Sequence, residues 1–463
     1  MTGFGPITFV LGVGLTTAVC AASAPVRQLT SGPKNHCLDN NENFSPDDRF
    51  LCYDTRPDGG AIADSRTIEK VDVKSGEIAI LCEAEDPVPG FGPGLGAVSY
   101  SPVGNEVMFI CGKPTATGLK YEKHRRFGQL VAGDGSGKSA ILDARDVTPP
   151  FTPGALRGGT HRHEPDGTSK YIGYTYNDQM MWALNKDLRT IGVTERGRPV
   201  KVDKDPKGEN NDGEGWSVLV VRVTPEPQPG SDEISLAASD SWVGTHGYKR
   251  PDGTLQRARA FLGRVRDKNG RDVEEVYIVD IPEDLTQPGP WGPLEGTEET
   301  FPQPPAGTVQ RRLTFTANSK HPGANGIVRS SPDGSQISFL MADKEGCQQV
   351  FLISPLGGEP RQLSSEPGGV ETSPRWHPSG NSLVTVDGRN RLIVISATSG
   401  ETFGKSVALT DGGGAPRGNF VWSHSGRTIA FNQAVSDGSR MWQQIFLVEF
   451  PDKDSDGIPD TLK

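Results

Sequence analysis

Apolar residues along this chain fall in short runs separated by turn chemistry. Between Ala324 and Gln362 four such runs appear, interrupted by the turn Pro332-Asp333-Gly334 and by a polar break from Asp343 to Gly346. Runs of this length and spacing predict antiparallel strands and are too short for helices. The same pattern returns twice, with Ser331-Pro332-Asp333-Gly334, His377-Pro378-Ser379-Gly380 and Ser423-His424-Ser425-Gly426 standing about 46 residues apart. A period near 45 residues with four strands per unit predicts the blades of a β-propeller. A blade is apolar on both faces, so each unit needs its neighbours.

An aromatic or apolar residue, a Ser-Pro-Asp-Gly-like turn and an apolar strand mark each unit. Earlier marks are Phe44-Ser45-Pro46-Asp47 in blade one and Tyr100-Ser101-Pro102 in blade two. Blade three is read from His163-Glu164-Pro165-Asp166-Gly167, and blade four from Arg250-Pro251-Asp252-Gly253 before the strand around Phe261. The expectation is an all-β, seven-bladed β-propeller of four-stranded antiparallel blades over residues 25–450. Lys201 to Gly215 and Pro282 to Gly307 read as surface-loop insertions. Val26-Arg27-Gln28-Leu29-Thr30 resembles the outer strands of later blades yet precedes the first, so it is expected to close the ring against Phe446 to Phe450.

Composition agrees: 58 glycines and 37 prolines in 463 residues supply many turns. The net charge of −10 argues against a general nucleic-acid partner, which needs a basic face. Ile7 to Val19 followed by small residues reads as a signal peptide over residues 1–24, without a basic start, and implies a periplasmic or extracellular protein. No other segment reads as transmembrane, and a monomer is expected. Cys20 offers a lipidation alternative with poor neighbours. Removing the leader leaves an odd five cysteines, read as buried small hydrophobes or, alternatively, as including one disulfide.

Innermost strands run from an upper mouth to the turn below, which places His161, His246, His321, Asn325, Glu371, Arg417 and Asn419 near one opening, with His36 a further member. Such mouths are the default binding site. His161 and His163 stand at i and i+2 of one strand, so both point the same way and, with His246, offer three imidazoles for a divalent metal. Against this, His163 is read at the interblade position of Tyr100, Trp376 and Trp422. Arg162, Arg329 and Arg375, each three residues before a turn proline, would favour carboxylates or sulfated sugars, or else make salt bridges between blades.

Ala132-Gly133-Asp134-Gly135-Ser136-Gly137-Lys138-Ser139 matches a loose phosphate-binding loop, but its flanks read as paired strands, so a hairpin turn and no nucleotide are expected. Residues 451–463 form an acidic tail in which Asp452, Asp454, Asp456 and Asp460, with Gly457, begin a calcium loop. Lys463 stands where a bidentate Glu would complete it. Weak calcium binding and a solvated terminus both remain open.

Tyr121 to Arg126, the run from Leu142-Asp143-Ala144-Arg145-Asp146 to Gly158-Gly159-Thr160-His161, and Tyr174-Thr175-Tyr176-Asn177-Asp178 resemble the YidR-like family of TolB-type bacterial propellers. The resemblance implies an exported cell-envelope binding platform for a protein or an anionic glycan. A more distant similarity is to oligogalacturonate lyase propellers. There a histidine-bound metal neutralises a uronate carboxylate while a base removes the α-proton, and His161, His246 or His321 would serve, with Arg375 or Arg329 neutralising charge.

Overall fold

A computed structural model describes residues 25–39, 42–57 and 61–463; the expected leader, with Cys20, lies outside them. Six four-stranded antiparallel sheets and one of three strands succeed one another along the chain, giving seven blades. Blade one comprises Phe50–Asp54, Thr67–Asp72 and Ile78–Glu83, with its inner position bridged by Cys37 and Phe44. In blade two, Leu95–Tyr100 is innermost, and Phe127–Ala132 pairs with Ser139–Ile141 as the expected hairpin around Asp134 to Lys138. Blades three to seven begin with Gly158–Pro165, Ile234–Trp242, Ala324–Ser330, Arg375–Trp376 and Arg417–Trp422.

Closure follows the sequence expectation. Val26–Gln28 is the outermost strand of the last blade, with Val26, Arg27 and Gln28 opposite Val448, Leu447 and Phe446. Thr30 Oγ1 donates to Gln444 Oε1 at 2.9 Å and locks the register.

The core lies between blades. Val276 and Ile278 of blade four, for example, meet Ile337 and Phe339 of blade five in one buried cluster. Indole N–H groups tie neighbouring inner strands together: Trp242 donates to the main-chain oxygen of Glu164 at 2.8 Å, Trp376 to that of Arg329 at 3.3 Å, and Trp422 to that of Arg375 at 3.1 Å. A donor shared across a buried interface fixes blade spacing as well as hiding surface.

Two expected registers change. Blade four turns at Val243, whose N–H meets Ala258 O, and Arg250-Pro251-Asp252-Gly253 is instead the tip of an extra hairpin, Tyr248–Lys249 with Leu255–Gln256. A second Pro-Asp-Gly turn had mimicked the blade's own mark. In blade three Pro165 pairs with Ile172, as Tyr100 pairs with Val107 and Trp422 with Ile429. Pro165, not His163, therefore occupies the interblade position, and Glu164, not Arg162, matches Arg329 and Arg375.

Inner strands also share a kink. Ala97, Arg162, Ser239 and Asn419 have φ between 54° and 62° where the ladder slips register, and Gly326 does the same at 76°. These bulges re-aim the side chains upstream of them.

Among the described residues, no helix is long and apolar enough to cross a membrane. Among the described residues Cys52, Cys82, Cys111 and Cys347 form no disulfide, so a bridge among Cys52, Cys82 and Cys111 is not realised. Burial raises the Cys52 and Cys111 thiols far from thiolate formation and lifts Cys82 to about 11, as befits packed small hydrophobes.

Candidate functional site

The upper mouth is cationic. His161, on the inner strand of blade three, accepts a hydrogen bond at Nδ1 from Arg189 Nη2 at 3.3 Å, and the same nitrogen donates to Thr175 Oγ1 at 2.8 Å. Burial holds the His161 imidazole well below its ordinary pKa, and the charges of Arg126, Arg189, Arg56 and Arg162 push the same way. His161 is thus a neutral ring among guanidinium groups. Arg56 is paired with Asp39 at 2.8 Å and with Asp54. Arg126 and Arg189, in contrast, each keep a buried Nε with no partner, as does the Tyr121 hydroxyl. The mouth therefore offers spare donors to an anion.

Arg56 and Arg189 were not singled out in the sequence. Arg56 follows the second strand of blade one, whereas Arg126 and Arg189 precede the third strands of blades two and three. A cation flanking the upper end of those strands was the available signal.

The proposed three-histidine metal set does not assemble. His163 is wholly buried, with Nε2 3.1 Å from Asp143 Oδ1 and its ring against Tyr174. His246 follows Thr245, whose N–H meets Pro332 O and which packs on Gly167; both partners lie in the turns at the lower end. The displaced blade-four turn carries His246 to the face opposite His161. His321 rests against Gly346, in the loop joining the second and third strands of blade five, away from the channel.

The remaining mouth residues are dispersed. Asn325 bonds Gln348 at 2.8 Å and Asn419 bonds Asn432 at 3.2 Å. Glu371 is exposed at the start of blade six. Arg417 is engaged by Gln433, Thr410, Asp411 and the Asn390 carbonyl. His36 is buried edge-on to Tyr53, and neither of its ring nitrogens has a partner. Arg329 and Arg375, expected at the mouth, border a cavity of about 280 Å³ at the lower end instead. The inner strand has nearly reached its turn at those positions.

The run that carries the family resemblance proves to be a scaffold. Asp143 accepts from Gly128 N–H at 3.0 Å and Thr160 Oγ1 at 2.7 Å. Arg145 is fully buried, binding the carbonyls of His124 and Gly158 and the side chains of Gln179 and Glu209. Arg157 joins Asp178 to the carbonyls of Thr297 and Thr300 in the long blade-four insertion. Gly159 is small because a Cβ there would stand 2.2 Å from Lys123 O. We expect Gly159→Ala to cost about 1–3 kcal/mol in chemical denaturation; an unchanged midpoint would mean the Lys123–Arg125 loop yields freely.

The tail is folded rather than solvated. Asn381 Nδ2 donates to Asp456 O at 2.8 Å, Ser382 Oγ to Gly457 O at 2.5 Å, and Ile458 is buried against blade six. Asp452, Asp454 and Asp460 bring oxygens within 4.8 Å of one another, and among the described residues they are the only such grouping of metal-ligating side chains. The Lys463 ammonium stands between them, 3.3 Å from Asp452, 3.0 Å from Asp456 and also against Asp454.

Fold and mouth together define a seven-bladed propeller with a cation-lined channel. A family model described as "Protein of unknown function (DUF3748)" matches residues 94–210, which include the scaffold run. The "Uncharacterized protein YidR" of Escherichia coli (strain K12) is 41% identical over 386 residues, 81% of this chain and 88% of that protein. The chain belongs to the YidR family. Among solved structures, an oligogalacturonate lyase in complex with manganese has a TM-score of 0.55 at 12% identity, covering 96% of both chains. The oligogalacturonate lyase of Vibrio parahaemolyticus has a TM-score of 0.54 at 10% identity, covering 95% of both. Likeness at such identity is one of fold.

Proposed function

We propose that this chain is an exported cell-envelope propeller that binds an anionic glycan at its upper mouth without turning it over. The observation that carries this reading is the pair of guanidinium groups of buried Arg126 and half-buried Arg189, whose buried Nε donors are unpartnered near a neutral His161. A uronate carboxylate would satisfy donors that otherwise stay unbonded in a low-dielectric site. Export rests on the leader-like residues 1–24. A protein ligand presenting acidic side chains is the other occupant such a mouth suits.

The lyase alternative finds less support, because the histidines expected to hold its metal stand at different places in the ring. Oligogalacturonate titrated at low salt should bind in a salt-sensitive manner and yield no ultraviolet-absorbing unsaturated product, with or without a chelator. Arg189→Gln and Arg126→Gln should each weaken binding about tenfold. Appearance of unsaturated product would favour the lyase, and failure of polyuronate to bind while an acidic protein does would reassign the mouth. We also infer weak calcium binding by Asp452, Asp454, Asp456 and Asp460, with Lys463 as the displaceable internal cation. Calcium should then raise the unfolding temperature of Lys463→Gln more than that of the parent chain.

A further inference from the structure

We propose that the lower end of the channel is a second, separate site, which binds a small oxyanion through Arg329. This goes beyond the upper-mouth reading and does not depend on it. Arg329 lies near the end of the inner strand of blade five, opposite Ser338. It is only 7% exposed. Its main-chain oxygen is taken by Trp376 Nε1 and Ser338 Oγ, yet its side-chain Nε and Nη1 are buried without a partner. A guanidinium presents five donors in a planar fork, so two idle ones mark an incomplete constellation.

The neighbouring carboxylates do not complete it. Glu164 and Asp240 are engaged by Arg259, at 2.9 Å from Nη2 to Glu164 and 2.9 Å from Nε to Asp240. Glu42 stands 3.9 Å from His424 Nε2. Among the described residues, no acidic side chain comes within ion-pair distance of Arg329. Burial, and then the like charges of Arg162 and Arg375, disfavour the charged form of Arg329 and outweigh the more distant Glu164 and Asp240. An anion would reverse that imbalance.

Space for it exists. Arg329 and Arg375 border the cavity of about 280 Å³, whose rim is formed by Trp242, Trp376 and Trp422. The three indole N–H groups are already spent on interblade carbonyls, so Arg329 and Arg375 supply the cationic part of a lining that also holds Glu42 and the Arg259-bound Glu164. This combination suits a tetrahedral oxyanion or a carboxylate, whose oxygens match the guanidinium fork.

The test uses sulfate, phosphate and acetate as probes on the full chain. Calorimetry at constant ionic strength, balanced with chloride, should show saturable one-to-one binding of at least one of them, with a matching rise in unfolding temperature. Arg329→Gln should abolish saturation, and Arg329→Lys should weaken it about tenfold. Should Arg329→Gln fail to fold, Arg375→Gln supplies the second reading: a several-fold loss of affinity with an unchanged circular dichroism spectrum. Lys201→Gln, at an exposed surface cation, should change nothing. Crystals soaked in selenate should show anomalous density beside Arg329. Responses no different from chloride, saturation that survives both arginine substitutions, or selenate bound only elsewhere would each overturn the assignment, and an acetate-only response would identify a terminal carboxylate as the occupant.

Discussion

Replacing Asp240 with alanine should destabilise the propeller by about 3–5 kcal/mol, the usual consequence of stranding a buried charge. Asp240, Arg259 and Glu164 are almost wholly withdrawn from water between blades three and four. Arg259 bonds both carboxylates and lies over the Trp242 ring at 4.8 Å. Burial tends to raise the Asp240 carboxyl, but Arg259 and then Arg162 outweigh it and hold the group ionised, below its ordinary value. Arg259 Nη1 already lacks a partner, so losing Asp240 leaves the guanidinium with one acceptor group. The double variant Asp240→Ala/Arg259→Met should cost less than the single one, because no charge is stranded. Guanidinium denaturation of both variants decides the matter; equal or additive losses would remove the ion triad from the account of stability.

Acidification should weaken the fold between about pH 6.5 and pH 4, before most carboxylates titrate. His36 and His124 are buried, and neither ring has a hydrogen-bond partner. Burial, reinforced by Lys34, lowers His36 to about 4; burial, reinforced by Arg125 and Arg145, lowers His124 to about 4. A histidine whose folded value lies below its unfolded value near 6.5 binds its proton first in the unfolded chain. Its contribution is therefore complete above that value and lost as pH falls toward 4. Each site is worth about 3 kcal/mol at the acid limit. His124 stacks on Trp182 at 4.2 Å, so His124→Phe can keep the ring contact while removing the titration. Its stability should fall by about 3 kcal/mol less than the parent's over this window, and a curve parallel to the parent's would refute the assignment.

The fold was legible because blade strands and their turns are local features. Ser331-Pro332-Asp333-Gly334 encodes its own hairpin: Ser331 Oγ donates to Asp333 Oδ1 at 2.6 Å and Gly334 takes the left-handed conformation. Legibility failed where one turn imitated another. Val243-Gly244-Thr245 makes the real blade-four turn without proline or aspartate, and the inserted hairpin carries the expected residues. That error moved His246 across the molecule. The inner-strand bulges were equally hidden, since Gly326 advertises a positive φ but Arg162 and Ser239 do not.

The placement of residues around the upper mouth was legible only in part, for a related reason. His161 and its basic surroundings follow from the strand's direction, whereas Arg56 and Arg189 reach it from connections whose length fixes no orientation. The tail shows the same limit. Its alternating aspartates announce a loop, but its docking on blade six depends on Asn381 and Ser382, which look like ordinary strand-end residues.

The Val26–Gln28 strand has a consequence for the order of synthesis. It is made before any other strand of the ring, yet its hydrogen-bond partners, Phe446 to Val448, belong to the seventh blade. Six blades can stack as they emerge, but the ring stays an open crescent until the seventh is complete. Completion is thereby deferred until the seventh blade has been made, and every earlier intermediate carries two unpaired sheet edges.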